Sequence, residues 1–191
     1  MEESISKLIE VCKNIYNKQL ISGKSGNVSV RLGDYIAITP TLKALNNLNE
    51  EDIVLVDMES NNLTKGKASS EVNMHLNIYK NREDVNAIVH THSPYVTGFA
   101  FSEKKLKRLE GFGEIKNPYL ASIEYEKPGS TELANSVAEN IKNEDVLILK
   151  NHGVICVGDS LKEAESLAIF IEESAKTQFI SYMLNSVKDI E

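Results

Sequence analysis

Cysteine and long apolar runs are both scarce in this sequence, and each absence excludes a class of protein. The two cysteines, Cys12 and Cys156, are too few for a disulfide framework. Because each lies in an apolar run, we predict two buried thiols in a reduced, cytoplasmic protein. No apolar run approaches the roughly 20 residues that cross a bilayer, so we predict no contact with a membrane. The opening residues, MEESISKL, are acidic and polar, and they predict no signal peptide.

Positive charge is also in the minority. The chain carries 21 Lys and Arg residues against 28 Asp and Glu, a formal net charge of -7. This balance argues against nucleic acid as the main partner, although it leaves room for one anion in a local pocket. No internal repeat or linker interrupts the 191 residues, so we predict a single domain over 1–191.

Apolar periodicity predicts helices that alternate with short strands. Helices are predicted in the first segment, in SSEVNMHLNIYKN (capped by serine), PYVTGFAFS and TELANSVAENIK, and from about Leu161; strands are predicted in VSVRLGDYIAIT, IVLVDMESNNLTKG, VNAIVHTH and DVLILKNHGVICVG. Several connections are too short for the crossovers that parallel strands need. We therefore predict a layered α/β/α domain with a mostly antiparallel central sheet flanked by helices.

Three of the four histidines lie where strands are predicted to end or turn. His90 and His92 project from the same face of one strand, so their imidazoles can converge on one ion. His152 is the candidate third ligand, because Gly153 beside it would let the backbone turn sharply. A single histidine is more often structural than a ligand, and this spacing alone leaves both interpretations open. His75, inside a predicted helix, is interpreted as a packing or hydrogen-bonding residue.

Glu71 follows Ser69 and Ser70 at the start of a predicted helix. Serine caps helices and glutamate suits the first turn, so helix capping explains all three residues. The same N–H groups and hydroxyls would also suit a bound phosphate, with Glu71 within reach of both the phosphate and a metal. Taken alone, these residues favour the capping interpretation.

A second anion candidate lies in SGKSGNVSV. Its Gly-Lys-Ser matches the end of a P-loop, but Lys18 stands where that motif needs glycine and no strand precedes it. A nucleotide site of that type is therefore excluded. What remains is a Gly-rich turn in which Asn27 can donate to an anion, with Thr39 and Thr41 at the end of another predicted strand.

Five short blocks follow one another through almost the whole chain: SGKSGNVSVR, ITPT, SSE, VHTHS and LKNHGV. Together they resemble the class II aldolase/adducin family, and most closely its branch of L-fuculose-1-phosphate aldolases. The resemblance implies Zn²⁺ as the cofactor. It implies that the metal is held by His90, His92, His152 and Glu71, and that Glu71 then serves as the catalytic acid/base.

The resemblance also implies a substrate and an assembly. A phosphorylated sugar, L-fuculose 1-phosphate or a related ketose 1-phosphate, would be cleaved reversibly to dihydroxyacetone phosphate and lactaldehyde through a metal-stabilised enediolate. Members of the family are typically homotetramers with active sites at subunit interfaces. Six residues would hold the substrate phosphate: Gly26, Asn27, Thr41, Leu42, Ser69 and Ser70.

Two features depart from the family pattern. Leu42 stands where the aldolases have glycine, and its side chain is expected to occupy a crowded turn. The tyrosine that serves the aldehyde half of the substrate has no secure match within RLEGFGEIKNPYLASIEYE. Tyr119 is the candidate for this second proton donor and Tyr125 is also available, although either fits a strand aromatic as well.

Sister activities of the family use the same metal ligands. The ribulose-5-phosphate 4-epimerase branch usually has aspartate at the position of Glu71, which disfavours that activity. Methylthioribulose-1-phosphate dehydratase stays open as an alternative. A non-catalytic, adducin-like interaction module is disfavoured, because such members lose ligands that this chain keeps.

Overall fold

The computed structural model describes residues 1–109 and 117–186. In these ranges the chain forms α-helices around one β-sheet, with two short 3-10 turns at Leu45–Asn47 and Glu50–Asp52. The elements in chain order are α1 Glu2–Asn17, β1 Asn27–Arg31, β2 Tyr35–Ile38, β3 Val54–Asp57, α2 Val72–Asn81, β4 Ala87–Thr91, α3 Pro94–Ala100, β5 Ala121–Ile123, α4 Thr131–Asn140, β6 Val146–Leu149, β7 Gly153–Gly158 and α5 Leu161–Ser186. All the helices and strands that the periodicity predicts are present, and β5 is an addition to them.

The described strands form one sheet in the order β3-β2-β1-β4-β7-β6-β5. Each neighbouring pair is antiparallel except β5 and β6, which are parallel. Parallel neighbours need a crossover, and α4 supplies it between β5 and β6. The predicted, mostly antiparallel sheet is therefore confirmed, with one βαβ unit at its edge.

Helices cover both faces of the sheet, as the predicted α/β/α layering requires. α1, α3 and α5 pack on one face against strand residues such as Val89 and Cys156. α2 and α4 pack on the other face against residues such as Ile88 and Ile155. Side chains alternate along β4, so His90 projects to the same face as Ile88, toward α2.

The two cysteines lie in the interior, as predicted. Cys12 and Cys156 are free and buried, and burial raises the pKa of each thiol. Within 1–109 and 117–186, no helix has the length and apolar character needed to span a membrane.

Candidate active site

The histidine pair lies at the end of β4, beside the corner that joins β6 to β7. His90 is paired with Ile155 of β7, so the sheet register sets this corner next to the end of β4. Asn151 turns the corner with a left-handed φ of 55°, and the N–H of His152 donates to the carbonyl of Leu149. The corner therefore brings His152 against His90, in β4, and His92, just after its end.

Gly153 is needed at this corner for its small size. The expectation that it makes the sharp turn is wrong, because Asn151 carries the left-handed conformation. A Cβ at Gly153 would clash with the carbonyl oxygen of Thr91 and would lie 2.8 Å from Cδ2 of His92. Glycine thus allows β7 to approach β4 closely enough for the imidazoles to meet.

The three imidazoles form a compact triangle, which we call the histidine cluster: His90, His92 and His152. Their ring centroids are 4.8 to 5.0 Å apart, and the ring planes are inclined by 70° to 74°. One ligand nitrogen from each ring lies within 4.8 Å of the others. Nε2 of His92 is 3.0 Å from Nε2 of His90.

Glu71 reaches the histidine cluster from the start of α2. Its Oε2 is 3.3 Å from Nε2 of His90, and its Oε1 is 3.4 Å from Nε2 of His152. The predicted serine cap is wrong: Glu71 is itself the N-cap residue, and its side chain makes no capping bond. The hydroxyl of Ser69 instead accepts a hydrogen bond from the N–H of Glu71, at 3.3 Å. The carboxylate is therefore directed at the histidines and not at the helix N–H groups.

The histidine cluster is rich in acceptor atoms. Nδ1 of His90 lies 2.9 Å from the carbonyl of Val154 and must donate to it, so in the neutral ring Nε2 faces the cluster with a lone pair. Burial lowers the pKa of His92 to about 3 and that of His152 to about 4, and both rings are therefore neutral at pH 7. Among the described residues, Oε1 of Glu71 has no hydrogen-bond donor. Lone pairs and a carboxylate thus converge with few donors, which is an arrangement that a cation satisfies.

The pKa shifts of Glu71 and His90 also indicate a site that favours a cation. Burial opposes ionisation of Glu71, but the imidazoles of His90 and His152 lower the pKa of its carboxyl below the usual range. Burial also opposes charge on His90, but the Glu71 carboxylate raises the pKa of that imidazole. The negative field that favours a proton there would equally favour a metal ion. Three imidazoles and one carboxylate are a fitting donor set for zinc.

The residues expected to hold a phosphate lie on segments next to the histidine cluster. The N–H of Ser69 donates to the carbonyl of Thr39, and the N–H of Thr41 donates to that of Lys67. The segment after β2 is therefore paired with the segment before α2. Ser70 is exposed at the turn into α2, so its hydroxyl is accessible to a ligand.

Gly26 and Leu42 both have left-handed backbones, with φ of 75° and 59°. A Cβ at Gly26 would lie 2.7 Å from Cγ2 of Ile21 and 2.9 Å from the carbonyl oxygen of His90, so this turn needs glycine to approach β4. Leu42 holds a conformation that favours glycine, at a cost of about 1 kcal/mol. Its side chain is 75% exposed, so the expected crowding is wrong.

Comparison with known proteins identifies the family. The profile described as "Class II Aldolase and Adducin N-terminal domain" matches residues 6–179. An L-fuculose phosphate aldolase of Methanococcus maripaludis strain C7 is 44% identical over 180 residues, covering 94% of this chain and 97% of that protein. The chain belongs to the class II aldolase and adducin family.

Two further members are similar over nearly their full length. An L-fuculose phosphate aldolase of Methanocaldococcus jannaschii is 39% identical over 178 residues, covering 93% of this chain and 97% of that protein. A solved structure named L-fuculose 1-phosphate aldolase has a TM-score of 0.90 at 27% identity, covering 100% of this chain and 92% of that one. The resemblance drawn from the five motifs is therefore confirmed, and so is the fold. Class II aldolases are metal dependent, and the histidine cluster could hold the metal in this member.

The second proton donor stays a prediction in this class II aldolase. Tyr119 is 37% exposed, its N–H donates to Oδ1 of Asn117, and its ring lies 5.9 Å from Nζ of Lys105. These contacts do not join it to the histidine cluster, and Tyr125 is exposed. Residues 110–116, part of the stretch in which the donor was sought, lie outside the described residues.

Glu172 was missed by the sequence analysis. This buried carboxylate of α5 accepts hydrogen bonds from the N–H groups of Tyr95, at 2.9 Å, and Val96, at 3.0 Å. It thereby satisfies the start of α3, which directly follows the β4 histidines. A glutamate directly after the apolar Ile171, within the helix predicted from about Leu161, was the available signal.

A chain of buried polar side chains was also missed. We call it the polar ladder: Asn27 and Ser29 of β1, with His75 and Tyr79 of α2. The interpretation of His75 as a hydrogen-bonding residue is confirmed. The signal for the ladder was the alternation in NVSVR, where polar residues take every second position of a strand covered on both faces.

Proposed function

We propose that this class II aldolase is a zinc enzyme that reversibly cleaves L-fuculose 1-phosphate, or a related ketose 1-phosphate, to dihydroxyacetone phosphate and lactaldehyde. The observation that carries the proposal is the convergence of the histidine cluster and Glu71 with few donors among them. The relatives named L-fuculose phosphate aldolase support the choice of substrate.

The histidine cluster would hold the zinc, with Glu71 completing the resting coordination. Both carboxylate oxygens of Glu71 lie within 3.4 Å of imidazole nitrogens, which supports this placement. When bound, zinc would supply a Lewis acid for the negative charge that develops on the ketose oxygens as the carbon–carbon bond breaks. No lysine Schiff base is then needed.

Glu71 would move the proton of the three-carbon half. In cleavage, the C4 hydroxyl would give its proton to a base on the aldehyde side, the role for which Tyr119 is the candidate, and would become the aldehyde. The electron pair of the C3–C4 bond would pass to an enediolate. Glu71, after taking a proton from solvent, would deliver it to C3, and in synthesis the carboxylate would remove that proton. Its lowered pKa makes the carboxylate the resting form, which suits the synthetic direction.

The substrate phosphate would be held beside the histidine cluster. The exposed hydroxyl of Ser70, at the turn into α2, is a suitable donor. Asn27 donates one amide N–H to Oε2 of Glu71, at 2.8 Å, and carries a second N–H on the same nitrogen. The full proposed set is Gly26, Asn27, Thr41, Leu42, Ser69 and Ser70.

We further propose a cytoplasmic homotetramer with active sites at subunit interfaces, and Tyr119 as the candidate second proton donor. The last turns of α5 support association between subunits. They expose four large apolar side chains, and such a group is commonly buried against another subunit. These residues are Phe179, Ile180, Met183 and Leu184.

The test is release of dihydroxyacetone phosphate from L-fuculose 1-phosphate by protein as purified, after chelation, and after zinc is restored. We expect release that chelation abolishes and zinc restores. Ribulose 5-phosphate and methylthioribulose 1-phosphate are assayed in parallel, to separate the epimerase and dehydratase activities. No release from protein that contains zinc would contradict the proposed substrate, and turnover of neither sister substrate would then favour a non-catalytic module.

A further inference from the structure

The polar ladder follows from the matching periods of a strand and a helix. Asn27 and Ser29 are two residues apart on β1, so both project toward α2. Glu71, the N-cap of α2, is followed at intervals of four residues by His75 and Tyr79, so the three share one helical face. The two rows meet through hydrogen bonds that are 2.6 to 2.8 Å long.

The direction of each hydrogen bond follows from the charge of Glu71. An ionised carboxylate only accepts, so the amide nitrogen of Asn27 must face Oε2 of Glu71. This leaves Oδ1 of Asn27 facing Nε2 of His75, 2.6 Å away. Because an amide oxygen only accepts, that imidazole must carry its proton on Nε2.

The remaining directions are then fixed. Nδ1 of His75 is left with a lone pair, so the hydroxyl of Ser29 donates to it across 2.7 Å. Because the single hydroxyl proton of Ser29 is already donated to His75, the hydroxyl of Tyr79 must donate to Ser29, also at 2.7 Å. Every donor in the polar ladder therefore points toward the carboxylate of Glu71.

Burial keeps the members of the ladder neutral. Asn27 is 4% exposed, Ser29 and His75 are 0% exposed, and Tyr79 is 1% exposed. Burial lowers the pKa of His75 to about 3 and raises that of Tyr79 above its usual range. At the far end, the guanidinium of Arg31 lies 4.9 Å from the Tyr79 ring centroid and donates to the carbonyl of the same residue.

We propose that His75 is a positioning residue of the active site. Through Asn27 it fixes Oε2 of Glu71 and leaves Oε1, which has no donor among the described residues, for the reaction. Hydrogen bonds aligned in one direction strengthen one another, so each step of the ladder supports the ionised carboxylate. The catalytic part of this inference rests on the proposed function.

The first test is the tautomer of His75 in zinc-loaded protein labelled with ¹⁵N-histidine. Long-range ¹H–¹⁵N correlation spectra should show a protonated Nε2 and a bare Nδ1 for one ring, and this signal should vanish in His75→Gln. The ligand histidines are recognised separately, because their signals shift when zinc binds. A proton on Nδ1 of His75, or on both nitrogens, would overturn the inference, whichever sugar phosphate the enzyme cleaves.

The second test compares the steady-state kinetics of variants of the ladder. His75→Leu should lower kcat roughly 10–100-fold with little change in KM, as loss of a group behind an active-site ligand typically does. His75→Gln keeps an N–H donor near the position of Nε2 and should restore most of that loss. Tyr79→Phe, at the far end of the ladder, should lose less than His75→Leu.

Ile78→Val is the matched control, because Ile78 is fully buried on the same helix but lies outside the ladder. It should lower the melting temperature and leave kcat unchanged. Equal losses of kcat in His75→Gln and His75→Leu would overturn the positioning role, and so would losses that follow melting temperature across all the variants.

Discussion

The histidine cluster and the segments proposed to hold the phosphate lie side by side, but they are built in opposite ways. His90 and His152 are fixed by strand pairing and by a corner that tolerates only glycine at position 153. Ser70 and Leu42 lie on exposed turns outside the sheet, and the segments that carry them are hydrogen-bonded to each other. The lone pairs of the cluster suit a cation, whereas the exposed hydroxyl of Ser70 would suit an anion.

This difference separates chemistry from recognition within one site. The sheet positions the proposed metal ligands without help from a substrate, which is the rigidity that a catalytic group requires. Loops would carry the proposed phosphate contacts, and loops vary more readily than strands do. Changes in the histidine cluster should therefore act on kcat and zinc content, and changes in the turns should act on KM.

The largest effect is expected from His152→Ala, which removes the ligand that the β6–β7 corner supplies. Zinc should be lost, and kcat should fall about 10³-fold, because Lewis-acid stabilisation contributes several kcal/mol. Zinc content and dihydroxyacetone phosphate release measure the two effects. Inorganic phosphate should still inhibit the residual activity as before, and a parallel loss of phosphate binding would show that the two regions are not separate.

Glu71→Gln separates proton transfer from metal binding. The amide keeps the size of the side chain and an oxygen that can accept from Asn27, but it cannot act as an acid or base. We expect kcat to fall about 10²-fold or more while zinc is retained. Glu173→Gln, at an exposed position of α5, is the matched control and should behave like the wild type. Unchanged kcat in Glu71→Gln would remove this residue from the mechanism.

The buried, neutral ring of His75 should make the stability of the folded protein depend on pH. The folded protein lowers the pKa of His75 from 6.5 to about 3, chiefly through burial. Below pH 6.5 the unfolded chain therefore binds a proton that the folded chain does not, and the folded state loses stability as the pH falls. Above pH 6.5 this loss is absent.

Metal-free wild type and His75→Gln can be compared by urea unfolding at pH 7 and pH 5. The difference in their free energies of unfolding should change by about 2 kcal/mol, with the wild type losing more at the lower pH. A difference that does not change with pH would contradict a neutral, buried His75.

A smaller effect is expected from Ser70→Ala, on the phosphate side of the comparison. Losing one hydrogen bond to a charged group should raise KM about tenfold and leave kcat nearly unchanged. Steady-state kinetics with the sugar phosphate measure both constants. Unchanged KM would place the phosphate elsewhere, and a fall in kcat alone would tie Ser70 to the chemistry.

The smallest effect concerns Leu42. Leu42→Gly relieves the left-handed backbone, whereas Leu42→Ala shortens the side chain and keeps the strain. The glycine variant should be the more stable of the two by about 1 kcal/mol. Thermal unfolding of the two variants measures this difference in stability. An alanine variant of equal or greater stability would contradict backbone strain at position 42.

Much of this arrangement could be predicted from the sequence, because it depends on periodicity. Histidines two positions apart share a face in any extended segment, as His90 and His92 do at the end of β4, and the His-Gly pair marked the corner. The three-residue strand β5 was not predicted, because it is too short to show an alternation of apolar and polar residues. The parallel pairing of β5 with β6 was missed for the same reason.

The remaining errors arose where one sequence pattern serves two structures. Serine followed by glutamate is typical of a helix cap, and only tertiary packing directs the Glu71 carboxylate to the histidines. Glycine at 153 suggested a turn, but it is required by the approach of the neighbouring strand. Glu172 binds the start of α3 from a distant helix, and such a pairing leaves no local pattern.

Zinc titration of the chelated protein, with dihydroxyacetone phosphate release from L-fuculose 1-phosphate as the readout, tests the central claim most directly. The account predicts a rate that rises in proportion to added zinc and stops rising at one zinc per chain. A protein that binds one zinc per chain and still releases no dihydroxyacetone phosphate would contradict it.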